Sequence, residues 1–165
     1  GYCAALPYFL YGYDFNSLKK IISTVTVSKI SLRYALAKFH LIDLALKGAK
    51  DPINEFLKKF KKNSYFKSVV EDIKKVKRLK SKPHAKVVKK LGMACSYPGT
   101  FNSSIHSIIN SSNYKDAIFI GSNYYYCLYS GEAVALICSC FIGWNSINSD
   151  NIYYTVVLTL FLLFI

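Results

Sequence analysis

Apolar residues recur at helical spacing from Leu18 to Val76, and that regularity restricts the fold more than any other feature of the chain. Leu18, Ile21, Ile22 and Val25 fall at i, i+3, i+4 and i+7, with Asn16 or Ser17 placed to cap the helix they define. Ser31 opens a second stripe, Leu32, Ala35, Leu36, Phe39 and Ile42, which Gly48 closes as a C-terminal cap. In "DPINEFLKKF", Asp51 is the cap and Pro52 takes the first helical position, where a missing N–H costs nothing. Ile53, Phe56, Leu57 and Phe60 form its buried side. A fourth helix carries Phe66, Val69, Val70, Ile73 and Val76 opposite a row of lysines, and a short fifth runs from Pro83 to Leu91 and Gly92. No segment before residue 118 alternates as a strand would, so the expected architecture is all-α with short connections between antiparallel helices.

Charge divides the chain in two. All 22 basic residues lie in 1–115, against six acids, for a balance of +16; residues 116–165 hold Asp116, Glu132 and Asp150 and no base. The basic excess peaks between Lys47 and Lys90, where 16 Lys/Arg face four acids. Such a run can attract nucleic acid or an anionic surface. Here, however, the charges stand opposite regular apolar stripes, as the solvated faces of amphipathic helices do. No aromatic residues interleave with them to stack bases, and Arg33 and Arg78 are the only arginines. Nucleic acid is therefore not the expected partner.

Past Gly121 the text turns aromatic and β-branched, with no helical stripe. Its last uncharged run, Asn151 to Ile165, has 15 residues, short of the roughly 20 a helix needs to cross a bilayer. A membrane hairpin, a buried pair of elements and an unstructured apolar tail all remain open for 122–165. The opening residues lack the basic region and apolar run of a secretory signal, and a start at Gly1 suggests a fragment or a processed chain. Five cysteines (Cys3, Cys95, Cys127, Cys138, Cys140) at irregular spacing read as reduced thiols, and the expected location is cytoplasmic, with membrane association through 122–165 as the alternative.

Catalytic signatures are absent from the residue pattern: there is no P-loop, dinucleotide fingerprint, H-E-x-x-H or acidic metal loop. His40 is expected to be a satisfied core or boundary residue, and His84, after Pro83, to be exposed. His106 stands among Ser103, Ser104 and Ser107, but a Ser–His couple needs an orienting acid that this serine-rich helix does not supply.

The stretch "CSYPGTFNSSIHSIINSSNYKDAI" resembles part of the ADP-ribosylglycohydrolase family, which includes the lens J-crystallins. Pro98, Gly99, Thr100 and Phe101 match its "PGSF"-like turn; Tyr114, Ala117 and Ile118 match the helix of "Y-x-x-A-I/V" type that follows. Upstream, "CAALPYFLYGYDFNSLKKIISTVTVS" and "LRYALAKFHLIDLALKG" look like the paired helices that precede the turn. The resemblance covers roughly residues 1–121, the later portion of the family domain, and leaves 122–165 as a hydrophobic tail of a different kind.

It implies an all-α fold and, in active members, removal of ADP-ribose with magnesium or manganese held by carboxylates. Those ligands come from an acidic motif near the N-terminus and from a "GGD-x-D"-like loop after the second helix. In this chain Ile118 runs directly into Phe119-Ile120-Gly121, the far flank of that loop, and the N-terminal acidic motif has no counterpart. The expectation is a chain with no metal ligand and no catalytic residue. Asp116, within "YKDAI", is expected to sit exposed on a helix. Ser96, Tyr97, Pro98, Gly99, Thr100 and Phe101 are the residues expected to edge a weak site for an ADP-ribose-type ligand, since a Pro-Gly turn can offer backbone N–H groups to an anion. The alternative is a basic helical binding or structural protein without enzymatic activity, tethered to a membrane by its tail.

Overall fold

The computed structural model describes residues 2–91, 97–113, 116, 117, 119 and 120. Residues 122–165, Ser96, Gly92 and the Ile118 side of the junction lie outside the described residues, so the tail and the junction are not placed. Among the described residues the chain forms seven α-helices and no strand: α1 (Tyr2–Leu10), α2 (Phe15–Val25), α3 (Lys29–Leu46), α4 (Pro52–Lys59), α5 (Lys67–Lys77), α6 (His84–Leu91) and α7 (Gly99–Ile109). None of them is long and apolar enough to cross a membrane.

Helix ends follow local chemistry. Asp14 caps α2, its Oδ1 accepting from the N–H groups of Asn16 (2.8 Å) and Ser17 (3.1 Å). Asn16 and Ser17 are thus donors inside the first turn rather than the cap, because a carboxylate at position 14 reaches both orphan N–H groups at once. Likewise α3 begins earlier than Ser31: Ser28 is the cap, and its Oγ accepts from the Ser31 N–H at 3.2 Å. Asp51 caps α4 through the Asn54 N–H (2.9 Å), with Pro52 in its first turn, as the sequence indicates. A serine cap such as Ser28 contributes roughly 1 kcal/mol.

Two glycines close helices in the left-handed region. Gly48 (φ 81°) lets its own N–H reach Ala45 O (2.9 Å) and the Ala49 N–H reach Leu44 O (3.0 Å), which ends α3. Gly12 (φ 85°) does the same after α1, where Tyr13 N–H donates to Tyr8 O. The first helix carries Pro7 in its interior and shows little segregation of polar from apolar residues, so periodicity alone does not reveal it.

Helix α3 is the axis of the assembly. It packs against α1, α2, α4 and α5, while α7 lies on α5 and α6. Of the α3 stripe, Ala35, Leu36, Phe39 and Ile42 are buried, with Tyr34, Ala37 and Leu41 beside them. Phe56, Phe60 and Phe66 meet with ring centroids 4.6–5.8 Å apart, locking α4 to the start of α5. Val69, Val70, Ile73 and Val76 turn inward, as their spacing requires. Val25 does not; it closes the α2 stripe on paper but lies exposed at the helix end.

Candidate functional site

The turn that precedes α7 is built against α3. A cis peptide joins Tyr97 to Pro98, and Asn102 N–H donates to Pro98 O at 3.0 Å as the helix starts. Tyr97 is half-buried, Pro98 exposed, and Gly99, Thr100 and Phe101 are buried. The Tyr97 ring stacks on Tyr34 (5.6 Å between centroids, 18° between planes), and Phe101 meets Tyr34 edge-on at 5.2 Å. The buried Lys38 carries its ammonium 5.1 Å above the Tyr97 ring, a cation–π contact. Tyr34 then donates to Asp72 on α5 at 2.5 Å. Burial first, and that hydrogen bond second, raise the Tyr34 pKa, so the phenol keeps its proton and remains the donor. Of the six residues expected at a ligand edge, Tyr97 and Phe101 pack against α3, Pro98, Gly99 and Thr100 lie between them in the chain, and Ser96 lies outside the described residues. Next to them Asn102 keeps a buried Oδ1 without a hydrogen-bond partner.

A second polar cluster joins α6 to α7. The Nδ1 atoms of His84 and His106 lie 2.7 Å apart, and the rings stack at 28°. His106 Nε2 is 3.1 Å from Leu79 O, and His84 Nε2 is 3.3 Å from Ser107 Oγ. One of the two Nδ1 atoms donates to the other, and His106 Nε2 lies between the Leu79 carbonyl, which accepts, and the Asn110 amide nitrogen at 3.2 Å, which donates. His84 is therefore half-buried and engaged rather than exposed at a helix start, because α6 turns that face onto α7. Desolvation, and then the neighbouring His106, lower the His84 pKa to about 4; desolvation also lowers that of His106. The serine contact does not amount to a nucleophile: Ser107 is fully buried, and its Oγ also donates to Ser103 O at 3.1 Å. Sequence spacing alone could not pair residues 84 and 106, which meet only once α6 and α7 pack.

His40 lies between phenylalanines, stacked on Phe15 (3.8 Å) with Phe60 and Phe66 at its edges. It occupies the core boundary as its stripe position suggests, but its Nδ1 is buried without a partner, so it is packed rather than satisfied. Burial first, then Lys59, lower its pKa to about 4.

The described aspartates are dispersed and employed elsewhere. Asp14 and Asp51 cap helices, Asp43 pairs with Lys47 at 2.8 Å, and Asp72 receives the Tyr34 hydroxyl. Asp116, half-buried in a helical segment, accepts from the Ser112 hydroxyl and from Asn113 Nδ2 (2.8 Å). Hydrogen bonds from Ser17 and Asn16 lower the Asp14 pKa, as an N-cap role requires. Among the described residues, no three of His, Cys, Asp and Glu come together where they could hold a metal ion. A magnesium or manganese pair needs several hard oxygen ligands facing one point, and these side chains do not fit it.

No protein-family model, no curated protein and no solved structure matches the chain.

Proposed function

We propose that the chain is the later, helical part of an ADP-ribosylglycohydrolase-type fold that does not itself release ADP-ribose. The observation that carries the reading is the stretch from Tyr97 to Ile109. The residues that resemble the family's turn and helix form a turn and a helix, held to α3 through Tyr34, Lys38 and Phe101. The two upstream segments that resemble the family's paired helices are helical here, residues 3–28 over α1 and α2 and residues 32–48 over α3. Support for catalytic silence comes from the carboxylates. Asp14, Asp43, Asp51 and Asp72 sit on separate elements, each committed to a cap, an ion pair or a phenol. Hydrolysis of the family's type depends on divalent cations that polarise the ribose substituents and position a water, and nothing in this donor set supplies their ligands. What the chain retains of an ADP-ribose-type binding edge is the half-buried Tyr97 and the exposed Pro98, with Gly99, Thr100 and Phe101 buried behind them as its support.

The test is direct. Purified chain is incubated with an ADP-ribosylated arginine acceptor in the presence of manganese, and free ADP-ribose is measured over time. The expected release equals that of a no-protein control; release that rises in proportion to the chain and is abolished by chelator contradicts the proposal.

A further inference from the structure

The start of α4, the end of α5 and the end of α7 enclose a cleft of about 450 Å³. Three lysines from two separate segments line it: Lys50 just before α4, and Lys77 and Lys80 around the end of α5. Asn54, Ser111 and Ser112 add polar lining, and Ile53, Ile108 and Ile109 add apolar lining. Lys77 Nζ donates to Asn54 Oδ1, which ties one ammonium to another lining residue.

None of the three lysines forms an ion pair; the one salt bridge among the described residues is Lys47–Asp43. Asp51 also lines the cleft, but its oxygens accept from the Asn54 N–H and the Asn54 side-chain amide, and so face back onto α4. The Ser111 hydroxyl is turned onto Ile108 O (2.8 Å) and that of Ser112 onto Asp116. The lysine ammoniums are therefore the donors left for a ligand. Three positive charges against one negative leave the cleft with an excess that suits a dianion, and lysine binds phosphate as a compact point charge.

We propose that this cleft binds a phosphate ester, with Lys50, Lys77 and Lys80 on the phosphate and Ile53, Ile108 and Ile109 against the organic group. Its volume falls in the range of small-molecule sites, which is more room than a bare anion fills, and its apolar wall gives the remainder of such a ligand a place. A concave cleft of this size with lysines and no arginine is not built to read a nucleic-acid duplex. The site is distinct from the turn at 97–101 and does not depend on the proposed relationship.

Titration calorimetry on the full chain at low ionic strength tests this, with adenosine 5′-monophosphate and inorganic phosphate as probes. Saturable binding of the nucleotide, tighter than that of phosphate, is expected. The variant Lys50→Gln/Lys77→Gln/Lys80→Gln should weaken it about tenfold or more, whereas Lys58→Gln/Lys61→Gln/Lys62→Gln, with the same loss of charge elsewhere, should weaken it less than about threefold. Lys80→Gln alone, an exposed side chain whose loss leaves the core intact, gives an intermediate loss and guards against misfolding of the triple variant. Vesicles with and without phosphatidic acid show whether the ester is soluble or a lipid headgroup: cleft-dependent binding in either arm supports the site. Equal weakening by both triple variants, or nucleotide binding no tighter than phosphate together with no cleft-dependent binding to the vesicles, overturns it.

Discussion

Phe101→Ala is expected to lower the unfolding free energy by about 3–5 kcal/mol, the range for removing a fully buried aromatic ring. Phe101 has no exposed surface, sits in the first turn of α7 and meets Tyr34 edge-on. Through Tyr34 it is coupled to Tyr97 on one side and to Asp72 of α5 on the other. Alanine leaves a cavity at the point where α3, α5 and α7 meet, and the surrounding rings cannot close it without giving up their own contacts. Because small domains hold only some 5–15 kcal/mol in total, a loss of this size should leave a large part of the variant unfolded or close to its midpoint. Urea denaturation followed by helical circular dichroism measures it. Val27→Ala, at a fully exposed position, should stay within about 0.5 kcal/mol of the parent. Similar midpoints for the two variants would contradict the packing described for the turn.

Acid should weaken the fold well before the carboxylates titrate. Burial holds the pKa values of His40 and His84 at about 4 and lowers that of His106. In the unfolded chain a histidine titrates near 6.5. As pH falls below that value the unfolded state takes up protons that the folded state refuses, so stability is full above pH 6.5 and declines until the folded pKa is passed. Allowing for solvent that still reaches both rings, His40 and His84 should each contribute roughly 1 kcal/mol of loss between pH 7 and pH 5. The His84–His106 contact sharpens the effect, because a proton shared between the two Nδ1 atoms cannot be doubled without setting like charges against each other. His40→Phe separates the contributions. It places an apolar ring among Phe15, Phe60 and Phe66, removes the unpartnered Nδ1, and should flatten about half of the pH dependence while raising stability at pH 5. A urea midpoint that stays constant from pH 7 to pH 5 would contradict the burial of these imidazoles.

Much of the helical order is legible in the sequence because it rests on local chemistry. Asp51-Pro52 and Gly48 act through atoms a few residues away, and the α5 stripe from Phe66 to Val76 needs only one neutral partner face to bury against. Errors arise where two nearby residues offer the same chemistry. Ser28 and Ser31 are both competent caps, and so are Asp14, Asn16 and Ser17; the choice depends on where the preceding loop leaves the first N–H groups. Helix α1, with Pro7 inside it and aromatics on several sides, is stabilised by packing on α2 and α3 that no periodicity announces.

The clusters are less legible still. His84 and His106 are 22 residues apart and meet only through the docking of α6 on α7. Lys50 meets Lys77 and Lys80 only because α4 and α5 lie side by side, so a run of charge that reads as solvated helix faces also contains one concave concentration of it. The turn at Tyr97–Phe101 carries its own Pro-Gly signal, but its packing through Tyr97 and Phe101 on Tyr34 of α3 is a long-range contact that the sequence does not announce.

Manganese binding, followed by calorimetry and by the electron paramagnetic resonance signal of the free ion, tests the proposed catalytic silence most directly. Uptake should remain weak and non-saturating up to millimolar concentrations, with no ADP-ribose-dependent tightening. Two equivalents bound at micromolar affinity, and lost on replacing Asp43, Asp72 or Asp116 by asparagine, would contradict it.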